Sequence, residues 1–226
     1  MENGKTVKER PIIFNAEMVR AILDGRKTQT RRLVPEWQLP SETKPEPGDY
    51  PGQRWMAVAQ RDPFWGFGVF GATEEDCAAQ LTPLFCPFGS RDDRLWVRET
   101  FAVGLCTKST MAYRATHKPE DLDEGGDERI RWKPSIHMPR WASRIQLEIT
   151  NARVERLNAI SEEDARAEGV ARADGAPNEV GLPTQLVVEA KDEFARLWQS
   201  IYGEESWRSN PWVWVLEFKR VEGGAA

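Results

Sequence analysis

The apolar and polar positions near the amino terminus predict a short amphipathic helix followed by a charged run. Asn15 is a residue type that caps helices, and Gly25 is a type that ends them. Between them, apolar residues recur at helical spacing at Met18, Val19, Ile22 and Leu23. The eight residues from Gly25 to Arg32 then carry four cations, two hydroxyls and an amide. We do not expect such a run in a core, so it should be solvated or face a polyanion or a polar ligand.

Alternating apolar residues predict strands in the middle and at the end of the chain. Residues 94–100 alternate like a strand, and residues 111–114 are expected to pair with them. Residues 145–157 form the longest predicted strand, because β-branched residues recur and one face is apolar. Residues 212–218 alternate as a terminal strand.

Two more helices are predicted in the second half of the chain. Ser161 begins a capping box, and the short helix that follows is expected to end at Gly169. Apolar residues from Ala190 to Ile201 define a longer amphipathic helix that ends near Gly203.

The other segments lack a period, which favours large loops around a small core. Short strands outnumber helices, so the pattern favours an α+β fold with a small mixed β-barrel flanked by short helices over a doubly wound sheet. We predict one domain over residues 11–221. Its loop insertions fall at about 36–92 and 170–188, and residues 1–10 and 222–226 are expected to be flexible tails.

Composition narrows the class of protein. A formal net charge of −5 argues against a general nucleic-acid coat, so RNA binding would need a local basic patch. Three cysteines without CxxC spacing predict no disulfide framework and fit a reducing cytosol. No apolar stretch is long enough to span a membrane, so we expect a cytoplasmic protein without a membrane partner. The two histidines stand at no zinc-finger spacing, and we predict neither a metal nor a cofactor.

Lys27 and Thr30 are candidates for nucleophilic chemistry. They stand three positions apart, so a helical or tight turn would place an amine beside a hydroxyl. An amine with a lowered pKa can take the proton of a hydroxyl and activate it as a nucleophile. The neighbouring cations Arg26, Arg31 and Arg32 would help to lower that pKa. The alternative is a solvated basic turn, which spacing alone favours.

Glu168 stands where a helix disfavours an acid. It falls in the last turn of the predicted short helix, where the helix dipole disfavours an anion, and four positions after Asp164. A residue placed against local preference often belongs to a site. The alternative is an exposed side chain or a pair with Arg172.

Residues 134–144 combine groups that suit contacts with phosphates and bases. Arginine binds phosphate in a bidentate way, and tryptophan stacks on bases. The alternative is a structural loop whose arginines pair with the acidic residues 120–128. The full set predicted to bind substrate or RNA is Arg26, Arg31, Arg32, Arg98, Ser135, His137, Arg140, Trp141 and Arg144.

Taken together, these motifs resemble the ASCH domain family. The resemblance rests on the early helix with residues 25–32, the strand at 93–99, the helix at 161–169 and the terminal strand at 212–218. Residues 134–144 and the Asn210-Pro211-Trp212 sequence are similar to the longer, phage- and prophage-associated branch of that family. The resemblance implies a PUA-like mixed β-barrel, a fold associated with RNA binding and modified nucleosides.

The resemblance also implies an activity and a partner. In a small bacterial relative, an acetylcytidine amidohydrolase, the Gly-Arg-Lys-Thr-x-Thr motif supplies a lysine and a threonine, and a later helix supplies a glutamate. These roles fall on Lys27 as base, Thr30 as nucleophile and Glu168 as a proton shuttle or activator of water. RNA or a modified nucleoside is the implied partner. A ribonuclease, a non-catalytic RNA-binding module and a phage-encoded protein-interaction module remain as alternatives.

Overall fold

A computed structural model describes residues 6–44, 52–58, 68–81, 85–103, 111–117, 131–170 and 189–221. It contains both helices and strands, so the α+β prediction is confirmed. The strands in these ranges are β1 (Glu9–Ile13), β2 (Gln29–Leu33), β3 (Ser41–Glu42), β4 (Trp55–Val58), β5 (Gly68–Gly71), β6 (Arg94–Arg98), β7 (Phe101–Val103), β8 (Met111–Tyr113), β9 (Gln146–Arg156) and β10 (Trp212–Arg220). The α-helices there are α1 (Ala16–Leu23), α2 (Glu74–Ala79), α3 (Glu162–Ala167), α4 (Ala190–Tyr202) and α5 (Glu204–Arg208).

The main sheet is mixed, with five strands in the order β1-β6-β9-β10-β2. β1 runs parallel to β6, and the other neighbouring strands run antiparallel. β1 and β2 are the edge strands, and the sheet is open. The two long strands β9 and β10 lie inside it, and β10 pairs with β2, which contains the second half of the charged run.

β10 separates two apolar clusters, because its side chains are buried on both faces. Trp214 and Leu216 belong to a large cluster that includes Phe14 of the β1–α1 connection. Val213 and Val215 belong to a second cluster with residues of α4, including Phe194. β2 lies beside β10 and therefore borders both clusters.

The helix signals in the sequence are confirmed. The Asn15 side chain accepts a hydrogen bond from the Met18 amide at 2.8 Å, and α1 ends before Gly25, which has a φ of 74°. The Ser161 hydroxyl accepts from the Asp164 amide at the start of α3. α4 ends at Tyr202, beside Gly203.

Three expectations about loops and pairing are wrong. Glu9 and Arg10 belong to β1 and not to a tail, because β6 supplies a pairing partner that the local sequence does not reveal. The predicted loop at 36–92 contains α2 and a three-stranded sheet in the order β3-β4-β5. These strands are two to four residues long, too short for a period to show.

The third error concerns β8, which pairs with β7 and not with β6. Both neighbouring positions of β6 are already taken by β1 and β9. Residues 171–188, the acidic residues 120–128 and the tails at 1–5 and 222–226 lie outside the described residues.

Candidate functional site

Four of the eight residues of the charged run are buried, so the expectation that it cannot enter the core is wrong. Lys27, Gln29, Thr30 and Arg31 are each 1–2% exposed. The run enters β2 as a strand and not as a solvated turn. Its cations can be buried because carboxylates from β9 and the α3 region meet them there.

Lys27 and Glu168 form the centre of this site. The Lys27 Nζ donates to the Glu168 Oε2 at 2.7 Å and to the Glu168 backbone O at 2.8 Å. Their side chains are 0% and 3% exposed. The same residues form an isolated backbone bridge, and the Thr28 amide donates to the Ala167 O at 2.8 Å. The entry to β2 is therefore joined to the end of α3 through both backbone and side chains.

Gly169 permits this close approach. Its φ is +83°, and a Cβ atom there would lie 2.7 Å from the Lys27 Cβ and 3.0 Å from the Ala21 Cβ. No ordinary side chain fits at these distances. Gly169 was predicted only as the end of a helix, because the sequence cannot show that another segment packs against it.

Arg31 holds the second oxygen of Glu168. Its Nη1 donates to the Glu168 Oε1 at 3.2 Å and to the Gln29 Oε1 at 2.7 Å. Its Nη2 donates to the Glu155 Oε1 at 2.6 Å and to the Asp164 Oδ2 at 3.0 Å. The carboxylate of Glu168 is thus divided between two cations, Lys27 on one oxygen and Arg31 on the other.

Arg153 extends the network along β9. It donates to the Asp164 Oδ2 at 2.9 Å, to the Glu155 Oε2 at 3.0 Å and to Glu217. Burial acts to raise the pKa of the Asp164 carboxyl, but the hydrogen bond from Gln29 and the charges of Arg153 and Arg31 outweigh it, so the pKa is lowered. Sequence reasoning missed the contact between Arg31 and Glu168 and the network around it, because its members come together only when β2, β9, β10 and α3 assemble.

The pKa of Lys27 is lowered from its ordinary value. Burial is the largest cause, attraction to Glu168 opposes it, and the charges of Arg32 and Arg31 add to the lowering. The expected like-charge repulsion is therefore present, but burial exceeds it. A lowered pKa is what a lysine needs to act as a base near neutral pH.

Thr30 is 1% exposed, and its hydroxyl makes no hydrogen bond in the described part of the chain. In the register of the sheet Thr30 lies opposite Leu216, and Arg31 lies opposite Val215. Since neighbouring residues of a strand face opposite ways, Thr30 points toward the cluster that contains Phe14. The Lys27 Nζ lies 5.7 Å from the centre of the Phe14 ring. The structure thus brings Lys27 and Glu168 into contact, with no hydrogen bond to Thr30.

Two other arginines of the run also have backbone partners. The exposed Arg26 donates to the Gly169 O and to Asp24, each at 3.0 Å. Arg32 is partly buried, and its Nη2 donates to the Ile13 O at 2.8 Å.

The predicted residues around 134–144 form a separate group. Arg140 pairs with Glu9 at 2.8 Å, and Arg144 makes two hydrogen bonds to the buried Glu99 at 2.9 and 3.0 Å. The Arg98 Nε donates to the Ser135 O at 3.1 Å. Among the remaining members, Ser135 is half-buried, His137 is exposed and Trp141 is 70% exposed.

A cavity of about 550 Å³ lies between α1 and α4 and reaches Glu168 and Gly169. Charged side chains line much of it: Glu17, Arg20, Asp24, Arg26, Glu193 and Arg196. Its volume is in the range of small-molecule sites. Of the buried pair, Glu168 therefore borders this open space, and Lys27 does not line it.

The described residues contain no group of three or more histidine, cysteine, aspartate or glutamate side chains that could hold a metal ion. None of the helices in the described ranges is both long and apolar enough to cross a membrane. Comparison of the chain with protein-family models, curated proteins and solved structures finds no match.

Proposed function

We propose that this chain is an ASCH-domain protein that recognises RNA or a modified nucleoside and hydrolyses an amide such as that of an acetylated cytidine. The observation that carries the proposal is the buried contact of 2.7 Å between the Lys27 Nζ and the Glu168 Oε2. These residues stand 141 positions apart and are two of the three that the resemblance assigned to chemistry. A cytoplasmic location belongs to the same proposal.

The arrangement of the main sheet supports a PUA-like β-barrel as the fold. Its edge strands are β1 and β2, and the Arg32 Nη2 of β2 donates to the Ile13 O of β1. Lys27 and Arg32 both lie near the ring of Phe14, which directly follows β1. The two ends of an open sheet are therefore close together at the candidate site, as a curled sheet requires.

The hydrogen bonds of Lys27 suit the role of a base. A neutral lysine amine has two N–H donors and one lone pair, and Glu168 accepts from the amine at two oxygens. The lone pair is then left to accept a proton from a hydroxyl. Arg31 holds the other Glu168 oxygen and keeps the carboxylate in place.

In the proposed reaction, the Thr30 oxygen attacks the amide carbonyl carbon, and its proton passes to the Lys27 Nζ. The bond between that carbon and the exocyclic nitrogen breaks, and Lys27 gives the proton to the leaving amine. Glu168 then takes a proton from water, whose oxygen attacks the acyl carbon of the ester on Thr30. The bond between that carbon and the Thr30 oxygen breaks, the proton passes to the Thr30 oxygen, and the acid is released. The first step requires Thr30 within hydrogen-bond reach of Lys27, a distance that catalytic pairs often reach only with substrate bound.

Thr30→Val provides the sharpest test of this reaction. The Thr30 hydroxyl has no hydrogen bond with any described residue, so the isosteric valine should fold normally, whereas turnover of N4-acetylcytidine should fall at least about 100-fold. Thr30→Ser keeps the nucleophile and should retain activity. Product formation by mass spectrometry and thermal unfolding should be measured for both variants, with Glu168→Gln beside them. Equal turnover by wild type and Thr30→Val would exclude Thr30 as the nucleophile.

A non-catalytic RNA-binding module is the second candidate, and the exposure of Trp141 favours it. Its indole is 70% exposed, so it is accessible for stacking on a base. RNA affinity that survives Lys27→Met, with no turnover by wild type, would support this candidate over the hydrolase.

A further inference from the structure

Trp141 is the most exposed of the large apolar side chains that the structure describes. It is 70% exposed, and Ile136 on the same segment is 58% exposed. Large aromatic side chains gain stability from burial, so an indole held in solvent calls for an explanation.

The backbone that carries Trp141 is fixed from beneath. Met138 and Ala142 are each 1% exposed and pack with Phe101. The Ser143 hydroxyl donates to the Val97 O at 2.8 Å, and the Tyr113 hydroxyl donates to the Ala142 O at 3.0 Å. Trp141 is therefore presented on a rigid support, which reduces the entropy lost when a ligand stacks on it.

Cations without ion-pair partners lie near this support. Arg114, Arg131 and Lys133 are exposed, and none makes an ion pair within the described residues. Lys133 exchanges two backbone hydrogen bonds with Phe101, and the Arg114 amide donates to the Thr100 O. Lys133 and Arg114 therefore lie beside the strand that packs under residues 134–144, and Arg131 stands two positions before Lys133 in the chain.

The arginines that the sequence suggested for phosphate contact are already neutralised. Arg140 is paired with Glu9, and Arg144 makes two hydrogen bonds to Glu99. Breaking these pairs to bind phosphate would leave a carboxylate without a partner. Arg114, Arg131 and Lys133, in contrast, are exposed and make no ion pair with any residue that the structure describes.

We propose that Trp141, with Arg114, Arg131 and Lys133, forms a binding site for single-stranded RNA. An exposed indole and exposed cations on segments that share Phe101 as a neighbour suit a strand whose bases are free to stack and whose phosphates need neutralising. A duplex, whose bases are already stacked, would gain little from Trp141. The inference rests on the proposed recognition of RNA and extends it, because it names a polymer and places its contacts outside the Lys27–Glu168 site.

The test is binding of a labelled single-stranded oligouridine of about ten nucleotides, measured by fluorescence anisotropy at several salt concentrations. Trp141→Ala should weaken binding about 5- to 100-fold, the range for losing one stacked base. Lys133→Gln should weaken it less and reduce the slope of log affinity against log salt by about 0.7. Ile201→Ala, at a position 46% exposed on α4, and Arg220→Gln, at an exposed position on β10, are the matched controls and should change neither quantity.

Equal losses for Trp141→Ala and Ile201→Ala would overturn the proposal, as would equal affinity for oligouridine and for a duplex of the same length. The proposal would also be overturned if wild type binds no RNA but self-associates, and if Trp141→Ala abolishes that self-association. Trp141 would then belong to a contact between protein chains. Turnover of free N4-acetylcytidine separates this proposal from the hydrolase. If Trp141→Ala keeps that turnover but loses RNA affinity, the RNA site is supported independently. If wild type turns over the nucleoside but binds no RNA, only the RNA site fails.

Discussion

Lys27 and Arg31 are cations with no exposed side-chain surface, and their partners determine whether this burial is tolerable. Removing a charge from water costs several kcal/mol unless a partner of opposite charge and good geometry replaces the water. Glu168 accepts hydrogen bonds from the two cations at separate side-chain oxygens. Glu155 and Asp164 also accept hydrogen bonds from Arg31. Loss of Glu168 would thus leave Lys27 without a carboxylate, whereas Arg31 would keep two.

The lowered pKa of Lys27 makes stability depend on pH. The ordinary value is 10.5, and burial lowers it in the folded chain. Between the lowered value and 10.5, the unfolded chain holds a proton on Lys27 that the folded chain has released. The free energy of unfolding therefore rises with pH across this window, by at most about 1.4 kcal/mol per pH unit.

Lys27→Met removes the titrating amine, so the stability of this variant can be compared with that of wild type at each pH. The stability of wild type minus that of Lys27→Met should increase as pH rises toward 10.5. Urea unfolding of both proteins across the alkaline range measures this difference, and effects of other titrating groups cancel. A difference that stays constant or decreases with pH would mean that the pKa of Lys27 is not lowered.

At the scale of elements, the entry to β2 packs against the end of α3, and Gly169 determines how closely. Gly169→Ala should cost about 2–4 kcal/mol of stability, for two reasons. The positive φ of residue 169 is strained for alanine, and the added Cβ would lie 2.7 Å from the Lys27 Cβ. Gly25→Ala is the control, because Gly25 has a φ of +74° with nothing within 4 Å of an added Cβ. It should lose only about 1 kcal/mol. Urea unfolding of both variants checks the difference, and equal losses would show that the close approach is unimportant.

Elements with a long period could be predicted from the sequence, and short ones could not. α1 and α4 each show an apolar face with clear end signals, and β9 extends over 11 residues. β3 has two residues, and its existence depends on pairing with β4. The pairing of β8 with β7 depends in the same way on which neighbours of β6 are already occupied.

The candidate site shows the same limit. The motif singled out Lys27, and its odd placement in a helix singled out Glu168, but only the resemblance to the ASCH family put the two residues in one site. The role of Arg31 was not predictable, because its partners Glu155 and Asp164 stand 124 and 133 positions away. The local sequence of a charged run predicts a solvated segment. It cannot show that the fold brings carboxylates from distant parts of the chain into contact with that run.

At the scale of the whole molecule, the main sheet has two edge strands that meet at one corner. β1 and β2 are not neighbours in the sheet, but the Arg32 guanidinium reaches from β2 to the Ile13 O and lies 5.1 Å from the ring of Phe14. Edge strands otherwise leave backbone groups open to pairing with other chains. This one side chain therefore draws the ends of the sheet together and covers an exposed carbonyl.

Arg32→Gln tests whether this contact holds the two edge strands of the sheet together. The variant loses a charged hydrogen bond between β1 and β2, which are not paired with each other in the sheet. This loss should lower the free energy of unfolding by about 1–2 kcal/mol and speed amide hydrogen exchange in β1. Lys219→Gln is the control, because Lys219 pairs with Glu148 directly across β10 and β9, which are already hydrogen-bonded strands. It should cost about 0.5 kcal/mol or less and leave exchange in β1 unchanged. Suppose that both variants lose the same stability and that the amides of β1 exchange at the wild-type rate in each. Arg32 would then be an ordinary surface cation that does not hold the edge strands together.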